Sequence, residues 1–384
     1  MSSKTETTPW SVESWKVMPL HEQIISYQDK NHLQNVLKRL AELPPLVSPT
    51  AIESAREDYA AAARGEAFIL VAGDCAESFE DTTTHISNQK VALLISQARH
   101  FEGVMGLPVH ITARMAGQYS KPRSQLLETL ADGVNVFTFR GHNVNGHKIQ
   151  NRTPNPDRLL QGYWHSVATL HLLQTAMTQG NYDRTRHLDG AHLEYLRGLR
   201  NPVGVKLGPS TSPEEVLEIL AKLCEQELGE DGRVTLITRL GAEKVGAVLP
   251  VLVEAVQASP FRPVWMCDPC HGNTFTKDGV KTRQTSTMLS EVAQTIRILS
   301  RFGAHLGGLH LEQTSKLVTE CIGLEGVDDG QFPERYSSLC DPRLSCVQAR
   351  WLIERVASLL SQASDTEENA VVKNLWWFSE IGAV

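Results

Sequence analysis

A chain of 384 residues, 41% of them hydrophobic, is long enough to bury one large α/β core or two smaller ones, which excludes wholesale disorder. Its formal charge of −7 disfavours non-specific binding to nucleic acid, although a basic pocket can sit inside an acidic protein. The longest uncharged apolar runs, such as Phe68 to Ala72 and Val248 to Val253, fall far short of the ~20 residues a membrane helix needs. Small molecules are therefore the expected partners, with neither nucleic acid nor membrane among them.

Met1 to Trp10 is polar with an early Glu6, unlike a secretory signal or an acid-free transit peptide, so a cytoplasmic protein is expected. Residues 1–64 read as an extension holding a helix around His32 to Leu43, broken by Pro44 and Pro45. Residues 65–384 read as the main domain. Its first strands are Ala67 to Ala72 and Pro108 to Ala113; a short strand Val134 to Phe139 and a helix Pro156 to Met177 follow. The C-terminal half alternates regularly. Strands Asn201 to Gly208, Arg233 to Arg239, Pro263 to Cys267 and Gly307 to Leu311 are interleaved with helices. Those helices begin after Ser212-Pro213, run from Ala242 to Val256 and Ser286 to Leu299, and close with Val347 to Leu360. Four consecutive strand-to-helix units indicate a parallel sheet. The fold class expected is α/β, of the (β/α)₈ TIM-barrel type, with six clear strands, two fewer than a closed barrel requires.

In such a fold substrate meets the C-terminal ends of the strands, and here those ends carry Lys206, Arg239, His271 and Glu312. Either cation alone reads as a solvated strand-end charge. Two on successive strands fit a shared phosphate or carboxylate better. Cys267-Asp-Pro-Cys270-His271 matches haem-attachment and redox patterns by letter, but it directly follows a strand in a chain with no second C-x-x-C, and both matches read as coincidence. Seven scattered cysteines, an odd number, point to reduced thiols. Cys75, just past the first strand, can face the same mouth. With His271, Glu312 and Asp341 it would form a mixed S/N/O site suited to a divalent transition metal acting as Lewis acid. Arg114, then Lys121-Pro122-Arg123-Ser124, follow the second strand. Arg123 with Ser124 is a candidate phosphate clamp. Arg184-Thr185-Arg186 is weaker, since such a cluster usually faces water.

Ten ordered blocks then carry a resemblance: GDCAESF (73–79), RMAGQYSKPRS (114–124), RTRHLDGAH (184–192), NPVGVKLGP (201–209), GRVTLITRLG (232–241), CDPCHGNT (267–274), KTR (281–283), GGLHLEQT (307–314), VTEC (318–321) and CDPRLS (340–345). Together with Trp10, Ser14-Trp15 and Pro44-Pro45-Leu46-Val47 they resemble the type II 3-deoxy-D-arabino-heptulosonate 7-phosphate (DAHP) synthase family over nearly the whole chain. The resemblance implies condensation of phosphoenolpyruvate with erythrose 4-phosphate, the first step towards shikimate and aromatic compounds. It implies a metal, Mn²⁺ or Co²⁺, on Cys75, His271, Glu312 and Asp341. Arg114, Lys206 and Arg239 would hold phosphoenolpyruvate, and Arg123 and Ser124 the erythrose phosphate. Lys121, Asp183 and Arg184 complete the substrate-binding set, and Lys206, Arg184 and His271 are the catalytic candidates.

The chain also departs from the family pattern. Asp183 replaces a glutamate before Arg184, Cys270 a methionine, His142 an aspartate and Ser345 an asparagine. Between Gly180 and Asn181 the family carries a further segment with two barrel strands, which accounts for the strand shortfall. An open sheet edge and an incomplete wall of the site are therefore expected. The alternative reading is a non-catalytic or truncated relative acting as a ligand-binding or partner subunit. The role, in primary or secondary metabolism, and the oligomeric state stay open; a homo-oligomer through the extension is one candidate.

Overall fold

The computed structural model describes residues 10–21, 24–123, 125–130, 132–173, 181–183, 190–224, 230–324 and 331–368. Helices α1 (Lys30–Ala41) and α2 (Pro49–Ala63) precede strand β1 (Phe68–Gly73). Next come α3 (Thr84–Met105), β2 (Val109–Arg114), an antiparallel pair β3 (Leu127–Thr129) and β4 (Asn135–Phe137), α4 (Asp157–Leu173) and the short β5 (Asn181–Asp183). The C-terminal half continues with α5 (Ala191–Arg197), β6 (Val203–Leu207), α6 (Pro213–Leu223), β7 (Val234–Thr238), α7 (Val245–Gln257) and β8 (Val264–Cys267). A hairpin of β9 (Thr274–Lys277) and β10 (Val280–Arg283), then α8 (Thr285–Arg301), β11 (Gly308–Glu312) and α9 (Cys346–Glu368), complete the chain order.

Local chemistry explains several boundaries. Ser212 Oγ accepts from the Glu215 amide at 3.2 Å with Pro213 in the first turn, so α6 starts where its capping signal stands. Every residue of β6, β7, β8 and β11 is buried, as a sheet covered on both faces requires. Among the elements that escape pattern reading are two long helices and a hairpin. Helix α2 buries Ala55, Tyr59 and Ala62, mostly small side chains that give a faint apolar signal. Helix α3 buries Ser87 and Gln97, which blur its periodicity. The β9–β10 hairpin turns at Asp278 and Gly279, both at positive φ, a two-residue turn that an Asp-Gly pair favours.

Seven strands form one parallel sheet in the order β2-β1-β11-β8-β7-β6-β5. The decisive pairing is β1 with β11: the first strand of the sheet lies beside the last, Gly73 opposite Glu312, while its other side takes β2, with Gly73 opposite Arg114. First-to-last pairing is the contact by which a barrel returns on itself. Among the described residues β2 and β5 are the two edges. The sequence between them contains the Gly180–Asn181 junction, where the resemblance leads one to expect a further segment. No helix among the described residues is long and apolar enough to cross a membrane.

One buried carboxylate locks the ends of β7 and β8 together. Glu291 on α8 is fully buried and accepts from the Leu240 and Gly241 amides at 2.9 and 2.8 Å and from Asn273 Nδ2 at 2.6 Å. Burial pushes its carboxyl up to about 7, against the pull of these donors. A raised folded-state value stabilises the fold fully below the unfolded carboxylate range and is lost as pH rises through about 7. Relative to Glu291→Gln, the wild type should therefore gain roughly 2–3 kcal/mol between pH 7.5 and pH 4.5. Urea unfolding of both proteins at the two pH values measures this, and an identical pH dependence would refute it.

Candidate active site

The strand ends converge as parallel pairing dictates, and the loops beyond them are pinned by buried ion pairs. Gly73 ends β1 at φ +152, where a Cβ would lie 2.7 Å from the carbonyl oxygen of Arg114. Only glycine lets the chain turn so close to β2, and the turn delivers Asp74 and Cys75. Asp74 is buried between Lys90 and Arg343, each at 2.6 Å. Arg343 also reaches Glu320 at 2.8 Å. This network holds the segment with Cys340 and Asp341 against the end of β1. Asp341 N–H donates to Cys75 Sγ at 3.3 Å.

A second clamp shapes the loop after β2. Glu77 accepts from the amides of Ala116, Gly117 and Gln118 at 2.7, 3.0 and 2.5 Å. Ala116 sits at φ 72, an uncommon conformation for a residue with a side chain that costs about 1–3 kcal/mol. The three bonds to one carboxylate offset it. The loop then carries Lys121 into the site.

At the centre Glu312 is fully buried. Its Oε2 accepts from Arg283 Nη2 at 2.7 Å, and its Oε1 lies 3.1 Å from His271 Nε2, 3.4 Å from Arg114 Nη1 and 3.8 Å from Lys121 Nζ. Burial would raise its carboxyl, yet His271, Lys121 and Arg283 hold it well below the usual range. Lys121 Nζ also contacts Asp341 at 2.5 Å; against the effect of burial, that ammonium keeps Asp341 ionised. Asp268 is the other hub. It meets Lys206 at 2.9 Å, His271 Nδ1 at 2.7 Å and His310 at 3.3 Å. Burial lowers the proton affinity of His271, and its Nδ1 contact with Asp268 leaves Nε2 turned towards Glu312.

His271, Glu312 and Asp341 present ligand atoms within 4.8 Å of one another. Cys75 stands beside them, 1% exposed. A hydrogen bond from Cys340 holds its thiol below the usual thiol range, although burial opposes ionisation. Two ionised carboxylates and an imidazole nitrogen could hold a metal ion, with the Cys75 thiol as a neighbour of Asp341, and Lys121 supplies positive charge between the carboxylates. Cys267 and Cys270 do other work. Each is buried; Cys267 Sγ accepts from Thr295 and Cys270 Sγ from the Glu312 amide.

Of the residues read from the sequence, Cys75, Arg114, Lys121, Lys206, His271, Glu312 and Asp341 share this network. Arg123 and Arg239 line the cavity of about 1030 Å³ beside it. Asp183 ends β5 at the sheet edge, and Ser124 and Arg184 lie outside the described residues. Sequence reasoning missed Arg283, Asp268 and Glu77. Arg283 was within reach, because recognising the Asp278-Gly279 turn would have put it at the end of a hairpin facing the site.

Comparison with known proteins agrees with the geometry. A protein of Neurospora crassa named phospho-2-dehydro-3-deoxyheptonate aldolase is 33% identical, covering 94% of this chain and 98% of its own length. The enzyme of that name from Streptomyces coelicolor is 32% identical over 94% of this chain and 99% of its own. One from Mycolicibacterium smegmatis is 31% identical over 84% and 89%. The alignment with the Neurospora protein spans 473 positions, more than the 384 residues of this chain, so that relative has residues without a counterpart here. The family match itself falls into two pieces, residues 10–183 and 182–357, which meet at β5. The chain belongs to the class-II DAHP synthetase family.

Proposed function

We propose that this chain is a DAHP synthase that condenses phosphoenolpyruvate with erythrose 4-phosphate and water, releasing phosphate. The observation that carries the reading is the convergence of His271, Glu312 and Asp341 next to Cys75 and a ring of buried cations. Cys75, His271, Glu312 and Asp341 would hold Mn²⁺ or Co²⁺. When bound, the metal supplies Lewis acidity at the aldehyde oxygen.

The protein's own groups do the rest. Arg114, Lys206 and Arg239 bind the carboxylate and phosphate of phosphoenolpyruvate, fixing its enol carbon towards the aldehyde. Lys206 is oriented by Asp268, and Lys121 stands between Asp341 and Glu312. These cations stabilise the phosphate as it leaves. Arg123 and Ser124 bind the erythrose phosphate; Arg184 matches an arginine near both substrates, and Asp183 completes the substrate-binding set. The architecture supported is a TIM-barrel-type domain over 65–384 behind a helical extension over 1–64, with its open side between β2 and β5. Such a domain would work in the cytoplasm on shikimate-pathway substrates.

A binding-only subunit is the competing reading, and activity separates the two. Purified protein with Mn²⁺ should consume phosphoenolpyruvate only when erythrose 4-phosphate is present, and chelation should stop it. Cys75→Ala and His271→Ala should each abolish turnover; wild-type rates in either variant would remove the metal assignment. Asp268→Asn should weaken metal affinity about 10–100-fold by loosening the orientation of His271. A direct metal titration reads that change, and unaltered affinity would mean that Asp268 does not support the ligand. Sequencing the transcript across codons 180 and 181 establishes whether the protein in the cell has the same junction.

A further inference from the structure

The loop leaving β2 and the segment following β4 run side by side and bring two guanidinium groups into one cavity. Lys121 N–H donates to Arg140 O at 2.8 Å, Arg123 Nε to Phe139 O at 3.0 Å, and Thr138 N–H to Leu126 O at 3.0 Å. Gly141 makes this approach feasible. Its φ is +100, and a Cβ there would fall 1.9 Å from the carbonyl oxygen of Tyr119.

Arg140 is thus held in place with 7% exposure. Its Nη2 donates to Gln125 O at a long 3.4 Å, and its Nε is buried with no hydrogen-bond partner. Among the described residues no carboxylate is paired with it; burial, and after it the like charge of Arg123, lower its proton affinity. Two neighbouring guanidinium groups, one buried with a donor unmet, are expensive to keep without an anion. Both line the cavity that contains Lys121, His271 and Asp341.

We propose that Arg140 is a specificity-determining residue which, with Arg123, clamps the phosphate of the aldehyde substrate. The proposal rests on the DAHP synthase reading for the identity of that substrate. Phosphoenolpyruvate has its own cations at the strand ends, Arg114 and Lys206, whereas Arg123 and Arg140 come from loops beyond the sheet. The two phosphates therefore occupy separate places. Arg140 would give the site its preference for a phosphorylated aldehyde, because a planar five-donor fork matches phosphate oxygens and an uncharged sugar terminus gains little from it.

The test compares the full-length wild type with Arg140→Met, which keeps a long apolar stem, and Arg140→Lys, which keeps the charge but loses the fork. Calorimetric titration with erythrose 4-phosphate alone should show about 10–100-fold weaker binding in Arg140→Met, as loss of charge-assisted hydrogen bonds predicts. Arg140→Lys should be intermediate. Phosphoenolpyruvate affinity should stay within about twofold, and KM in turnover should follow the same split. Unchanged erythrose 4-phosphate affinity in a folded Arg140→Met protein, or an equal loss for both substrates, overturns the proposal. If Arg140→Met shows no cooperative melting transition, Arg140→Lys decides alone by the same comparison. If the wild type makes no product, the functional reading falls by itself. Titration with inorganic phosphate then judges the clamp: weaker binding in the variant upholds it and equal binding rejects it.

Discussion

Glu312 is the constraint on which the site is built. A carboxylate with no exposure at all cannot stay ionised unless charge around it replaces water, and here Arg283, His271, Arg114 and Lys121 all lie within 3.8 Å of its oxygens. Those four side chains come from β10, the loop after β8, the end of β2 and the loop beyond it. Neutralising one buried anion therefore fixes the relative positions of four chain segments. The interdependence has a cost. Removing one member of a buried ion pair leaves its partner uncompensated, a loss typically of about 3–5 kcal/mol, so fold stability and site geometry are hard to vary separately at these positions.

The same device recurs one layer out, with backbone amides as the partners. Glu77 ties the loop after β2, Glu291 ties the ends of β7 and β8, and Glu320 with Arg343 ties the segment bearing Asp341. Loops beyond strand ends have no ladder to satisfy their amides, and a buried carboxylate that accepts two or three of them does so from a single side chain. Cys75, Lys121, His271 and Asp341, all outside regular strands, gain from these carboxylates the fixed geometry that strands give Arg114 and Glu312.

Much of this was legible in the sequence, for identifiable reasons. The βα alternation after residue 200 has buried apolar strands and strong caps; the observed β6, β7 and β8 lie within the stretches expected for them, and β11 runs one residue past its expected end at Leu311. Lys206, His271 and Glu312 stand at strand ends, where position alone raises the prior of function. What escaped depends on contacts that no spacing encodes. Arg283 reads as an ordinary charge in a loop until the β9–β10 hairpin folds it onto Glu312. Glu77 sits in the string GDCAESF, which does not say which donors it will meet. Arg140 needed the close passage of the chain at Gly141, a matter of tertiary approach rather than pattern.

The pairing of β1 with β11 gives the missing segment its meaning. Cys75, Arg114, Lys206, Arg239, His271 and Glu312 are carried by β1, β2, β6, β7, β8 and β11 or by the turns just beyond them, and these strands are contiguous in the sheet, from β2 through β1 and β11 to β6. The seam that brings first and last strands together is intact, with Gly73 registered against Glu312 on one side and Arg114 on the other. An interruption between β2 and β5 lies one strand away from that seam, on the far side of β2, and does not cut it. It leaves the scaffold of the proposed metal ligands and the strand-end cations whole, and the side it opens is the one where Asp183 ends the sheet. Since enclosure mainly excludes water and orients substrate, the loss should fall on the reach and retention of the aldehyde rather than on the proposed metal-binding group, and the proposed phosphate clamp from the β2 and β4 loops would matter more when the wall across the gap is short.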